Sequence, residues 1–181
     1  GQALAGNESK NLNRAYPGRP DGTLTEQVAY GIVRLIQQEK VNMTIDLHEA
    51  SPEYPVINAI VAHERAMDIA AEVTIGLQMD GIKIGLEPSP KSLRGLSHRE
   101  LGDATGTLAI LMETANPAQG RLRGATNEAL VLTGKDPMYE RAAKLNRLFV
   151  PYDAKGQPLD LRVARHVTAV NEFLTVMSKK N

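Results

Sequence analysis

Cysteine is absent from the 181-residue chain, which excludes disulfides, thiolate metal ligands and a cysteine nucleophile. Only His, Asp and Glu are left to hold a metal. Cytosolic and periplasmic proteins both manage without cysteine, so the compartment stays open. Net charge is lacking as well. The 21 Lys plus Arg balance 21 Asp plus Glu, and no global field recruits nucleic acid or an anionic membrane. Neither is expected as a partner. No apolar run reaches the ~18 residues that would span a bilayer. Gly1 to Lys10 holds no hydrophobic segment, although a removed leader would leave no trace. Internal repeats and low-complexity tracts are missing too. With 42% apolar and 23% charged residues the composition is that of a globular protein, read as one domain over 1–181.

What is present is an alternation of strand and helix signals. The Gly- and Pro-rich opening through Gly22 reads as irregular. Thr23 and Glu26 have the spacing of a capping box, and Val28, Ile32, Leu35 and Ile36 follow as an apolar stripe at helical period. Val41 to His48 and Val56 to Ala62 have strand length, and Ala66, Ile69, Ala70, Val73 and Leu77 return to helical period. Gly85 to Gly106, rich in Pro, Ser, Gly and charge, reads mostly as a long loop. Thr107 to Glu113 reads as a buried strand. Asp136-Pro137 would cap and open a helix to about Phe149. In the last helix Val163, Val167, Val170, Leu174 and Met177 form a long apolar face. Interleaved strands and helices predict an α/β domain with a mixed, largely parallel sheet flanked by helices.

Three places could carry chemistry. His48 ends an apolar strand, at the carboxyl edge where open α/β sheets place ligands, and Asp46 shares its face of the strand. A strand-end histidine satisfied by local hydrogen bonds is the alternative. Glu113 follows an apolar strand, and burial there would raise its pKa toward general acid/base work. A salt-bridged glutamate is its plainer reading. Arg14, in "NLNRAYPG", offers a fork for a substrate carboxylate, or else a solvated loop cation.

Taken in order, "NLNRAYPG", "IDLHEA" and "METANPAQG" resemble the zinc carboxypeptidase superfamily, in its succinylglutamate desuccinylase and aspartoacylase branch. The likeness runs from about Asn11 to Gly120. It implies that Asn13 and Arg14 hold substrate, that His48 is a zinc ligand, and that Glu113 is the general base. The implied activity is zinc-dependent hydrolysis of an amide bond next to a carboxylate. A peptide C-terminus or an N-acyl amino acid would be the substrate. Arg99, in the loop ahead of Glu113, would bind substrate or the developing oxyanion, or simply be a charged loop residue. No tyrosine lies between Tyr54 and Glu113 to supply the catalytic aid of carboxypeptidases.

The resemblance also calls for an upstream H-x-x-E, and the chain has none. Each of its four histidines is followed three residues on by Ser51, Ala66, Leu101 or Ala169. "AGNE" at Ala5 to Glu8 has alanine where a histidine is needed. The expectation is a domain incomplete at its N-terminus, with roughly 60–100 further residues ahead of Gly1. A second chain completing the site and outright loss of the metal are the other accounts. The last corresponds to a non-catalytic α/β carboxylate-binding domain. Among lesser candidates, His63 reads as a cap residue and His166 as structural. Tyr16 reads as a support for Arg14, and Arg121 and Arg123 as solvated.

Overall fold

A computed structural model of the chain describes residues 11–117, 137–153 and 157–180. Ala5 to Glu8, Arg121, Arg123 and the Asp136 cap lie outside the described residues. The first helix, α1 (Leu24–Gln38), starts as its sequence predicts. Thr23 Oγ1 accepts from the Glu26 N–H, and the Glu26 carboxylate accepts from the Thr23 N–H at 2.7 Å. There follow β1 (Met43–Ala50), β2 (Ala59–Ala62), a 3-10 turn (Glu64–Ala66) and α2 (Met67–Met79). The chain continues through β3 (Gly85–Pro88), α3 (Ser97–Thr105), β4 (Leu108–Ala115), α4 (Pro137–Lys144) and α5 (Leu159–Ser178).

The four strands make one mixed, mostly parallel sheet in the order β1-β4-β2-β3, flanked by helices. β1 and β4 run in the same sense: Leu108 N–H donates to Asn42 O at one end, and Asn116 N–H to Ala50 O at the other. β2 and β3 are likewise parallel, bracketed by Gly85 to Asn58 and Ser89 to Ala62. β4 and β2 are antiparallel, since His63 bonds to Ala109 while Asn58 reaches Ala115.

The chain divides into two compact units. The first comprises Gly1–Asp46, Ile60–Glu72 and Leu86–Leu111. Its core gathers Tyr16, Ala29, Val33, Ile36, Leu101 and Ala109. The second comprises Leu47–Ala59, Val73–Gly85 and Met112–Asn181. There Tyr139 stacks on Tyr152 with ring centroids 5.1 Å apart, and its hydroxyl donates to Glu53. Gly76 leaves room for the Glu172 side chain, which a Cβ would meet at 2.6 Å.

Several local expectations need correction. Gly85 to Gly106 is not mainly loop, because it contains β3 and α3. α3 ends where Gly106 takes a left-handed φ of 78°. Ser97, His98, Arg99, Glu100, Leu101 and Gly102 are all buried, so its inward surface is polar and leaves no apolar period to read. The buried face of α1 is Ala29, Val33 and Ile36, whereas Val28 and Leu35 are 46% and 56% exposed. α5 likewise buries Ala169, Phe173 and Val176, and leaves Val167 50% and Leu174 62% exposed. In both helices the buried face lies about 100° around from the most obvious aliphatic stripe, one residue's rotation. α4 stops at Lys144, short of Phe149, and the opening segment holds a 3-10 turn at Leu12–Arg14.

Candidate functional site

The second unit brings two of the expected site residues together. His48 and Glu113 each sit two residues before the last residue of their strands, Ala50 and Ala115. Because β1 and β4 are parallel neighbours in register, both reach the same carboxyl edge. His48 Nδ1 lies 3.9 Å from Glu113 Oε1, with both side chains largely sheltered from solvent. Around them stand residues that the sequence did not single out. Arg162 of α5 donates Nε and Nη2 to the two carboxylate oxygens of Glu49, each at 2.5 Å. Asn116 Nδ2 adds a bond of 3.0 Å to Glu49. Burial alone would push the Glu49 carboxyl up, but the Arg162 fork outweighs it and holds the group below its usual value. The same hydrogen bonds push Arg162 up, against a smaller opposing effect of burial.

His166 sits in α5 with Nε2 3.1 Å from Thr114 Oγ1, and that hydroxyl donates to the His48 carbonyl at 3.4 Å. The threonine has one proton, so His166 Nε2–H is the donor to Thr114. Burial, aided by the nearby His48, holds the His166 imidazole below its usual pKa despite Glu49. The expected structural role of His166 therefore takes a specific form: it is tied to the strand end beside Glu113.

The first unit holds the other expected residues. Asn11 caps the turn Leu12–Arg14 by accepting from the Asn13 N–H at 3.0 Å. Asn13 in turn caps α3, its Oδ1 accepting from the Ser97 N–H at 2.7 Å. Ser97 Oγ donates to Asp46 Oδ2 at 2.5 Å, so one serine joins the "NLNR" segment to the "IDLH" strand. Arg14 is exposed, and its Nη1 donates to the Asn13 carbonyl at 2.6 Å. It lines a groove of about 490 Å³ with Tyr16, Arg19, Glu26, Arg94 and Glu100. Gly95 (φ +81°) backs this segment, because a Cβ there would stand 2.6 Å from the Arg14 carbonyl oxygen. Tyr16 is buried in the core, where desolvation and then Asp46 push its hydroxyl up to about 12.

Arg99 is 1% exposed and enclosed by partners. Its Nη1 donates to Glu64 Oε2 and its Nη2 to Asp103 Oδ1, both at 2.7 Å, and Nη2 also lies against His63 Nε2. The Arg99 hydrogen bond holds Glu64 at a pKa of about 2 and, with His63, holds Asp103 well below its usual range. His63 is a cap residue as its position predicts, since its Nδ1 accepts from the Arg65 N–H at 3.2 Å.

His63, Glu64 and Asp103 bring three potential ligand atoms within 4.8 Å of one another. That trio already surrounds a cation, the Arg99 guanidinium, which bonds to both carboxylates and packs on the imidazole. It is the only such trio among the described residues, and His48 is not in it. A zinc ion needs three protein groups and an open position. The described residues offer one imidazole at His48 with Glu113 beside it, which does not complete such a set.

No protein-family model matches the chain, and no curated protein does. Two solved structures are similar to it. One is an aspartoacylase family protein from Mesorhizobium loti, 27% identical, with a TM-score of 0.42, covering 59% of this chain and 33% of that one. The other is the product-bound ectoine utilization protein EutE (DoeB) from Ruegeria pomeroyi, 20% identical, with a TM-score of 0.42. There the likeness covers 74% of this chain and 39% of the other. The chain thus spans 33% and 39% of the lengths of the structures it resembles.

Proposed function

We propose that the chain carries part of the active site of a hydrolase that cleaves an amide bond next to a carboxylate. The observation that carries this reading is the placement of His48 and Glu113, 3.9 Å apart, at the shared carboxyl edge of two parallel strands. In this reading Glu113 is the general base that takes a proton from water as it attacks the amide carbonyl. Arg14 holds the substrate carboxylate in a two-bond fork. Asn13 shapes that binding segment while capping α3. Arg99 serves by tying α3 to Glu64, with Asp103 one turn further along the same helix steadying the guanidinium. His48 would give a zinc ion one ligand, and the others would come from outside the described residues, either from a further segment or from a second chain.

A second reading, a non-catalytic domain that binds carboxylates, is favoured by the lack, among the described residues, of a ligand trio that includes His48. One experiment separates the two. The native protein is incubated with N-acyl amino acids and short peptides, each as the free acid and as the carboxamide. The hydrolase reading expects free amine from the acids and much less from the carboxamides. Binding of the acids without release of amine supports the second reading instead.

A further inference from the structure

Helix α5 reaches the strand ends that carry His48 and Glu113 through three side chains on one turn. Arg162, Arg165 and His166 have i, i+3, i+4 spacing and so share a helix face. Arg162 forks onto Glu49, the residue after His48, and Arg165 Nη1 donates to the Ala115 carbonyl at 3.3 Å. His166 reaches Thr114, the residue after Glu113, and Thr114 passes a hydrogen bond to the His48 carbonyl. Asn116 closes the set by donating to Glu49 from the end of β4. One helix therefore grips the residue that follows each member of the pair, and Thr114 ties the two strands together.

Strand ends fray first, because their last backbone groups lack a continuing ladder. A displacement of about 1 Å in a reacting group can cost ~10²-fold in rate. A two-bond guanidinium–carboxylate fork fixes direction as well as distance, which a single contact does not. We infer that Arg162 and His166 are positioning residues, acting through Glu49 and Thr114 to hold His48 and Glu113 at their spacing. The purpose of that spacing rests on the hydrolase reading; the bracing itself does not.

The test is NMR on the full, isotope-labelled chain. The His48 ring signals and the NOE between that ring and the Glu113 side chain are compared with those of Arg162→Met, Thr114→Val and a swapped pair, Glu49→Arg with Arg162→Glu. Helix content by circular dichroism serves as the fold control. Arg162→Met and Thr114→Val should each shift the His48 ring signals and lose the NOE while the helix signal persists. The swapped pair should restore both. A purely structural role would lower the unfolding midpoint and leave the NOE intact. If Arg162→Met does not fold, Arg162→Lys, which keeps the charge but not the fork, carries the same comparison. Folded variants with parent-like ring signals and NOE would overturn the inference, as would a folded swapped pair that restores neither. No substrate is involved, so an inactive protein with the expected NOE pattern would refute only the hydrolase reading.

Discussion

His48 Nδ1 and Glu113 Oε1 face each other across 3.9 Å at the ends of neighbouring parallel strands. That separation is too long for a direct hydrogen bond and short enough for a water or an ion to touch both. The parallel register sets it, because β1 and β4 are bracketed by backbone bonds from Leu108 to Asn42 and from Asn116 to Ala50.

The two residues of the "NLNR" segment should separate stability from binding. Asn13→Ala removes the cap on α3 and should cost about 1 kcal/mol in urea unfolding. Arg14→Ala should leave the unfolding midpoint unchanged, since the side chain is exposed. In the hydrolase reading it should raise KM by roughly 10- to 100-fold, the loss of hydrogen bonds to a charged group. An unchanged KM for a carboxylate substrate would remove Arg14 from the site.

Arg99→Ala should be among the most destabilising substitutions. It leaves His63 buried and two carboxylates without the cation they surround. Removing one partner of a buried pair costs about 3–5 kcal/mol, and the half-exposed carboxylates bring the expected loss to roughly 2–4 kcal/mol. The pH dependence follows from Glu64, whose folded-state pKa is depressed from 4.5 to about 2. Its contribution is present above 4.5 and is lost as pH falls toward 2. Urea unfolding between those limits should show that loss in the parent and a flatter profile in Arg99→Ala. A midpoint equal to the parent's would contradict the network's role.

Much of the fold was legible where local chemistry and burial agree. The Thr23–Glu26 capping box formed as read, and Ala66, Ile69, Ala70, Val73 and Leu77 are all buried. The buried faces of α1 and α5 differ from their aliphatic stripes because period locates a stripe, while packing decides whether large or small residues face inward. Ala29 and Ala169 are buried, and Val28 and Val167 are exposed. α3 has no apolar period to read for another reason: its buried face is polar. Ser97 and Arg99 are matched by Asn13, Asp46 and Glu64 far off in sequence, and His98 and Glu100 by Ser89 and Gly95 of the preceding loop. The candidate pair His48 and Glu113 was legible as two polar residues near the ends of apolar runs, although β1 and β4 each continue two residues further. Glu49, Thr114 and Arg162 were not, although the three-and-four spacing of Arg162, Arg165 and His166 could have drawn attention to that helix face.

Tyr16 predicts behaviour at the alkaline end. Its folded-state pKa is raised from 10.0 to about 12, so folding favours the neutral phenol. The stabilisation is full below 10.0 and is lost as pH rises through about 12. Phenolate absorbance should show a late-titrating component that shrinks by one tyrosine in Tyr16→Phe. A parent titration with no late component would contradict the burial of Tyr16.

The most direct measurement is amide hydrolysis by the native protein, purified from its own cells, with Glu113→Gln compared against the parent. The variant keeps the shape of the side chain and loses the base. The parent should release free amine from N-acyl amino acids or peptides, and the variant should lose ~10²- to 10⁴-fold in rate with its fold intact. A folded Glu113→Gln protein that retains the parent rate, or a parent that releases no amine from any of these substrates, would contradict the assignment.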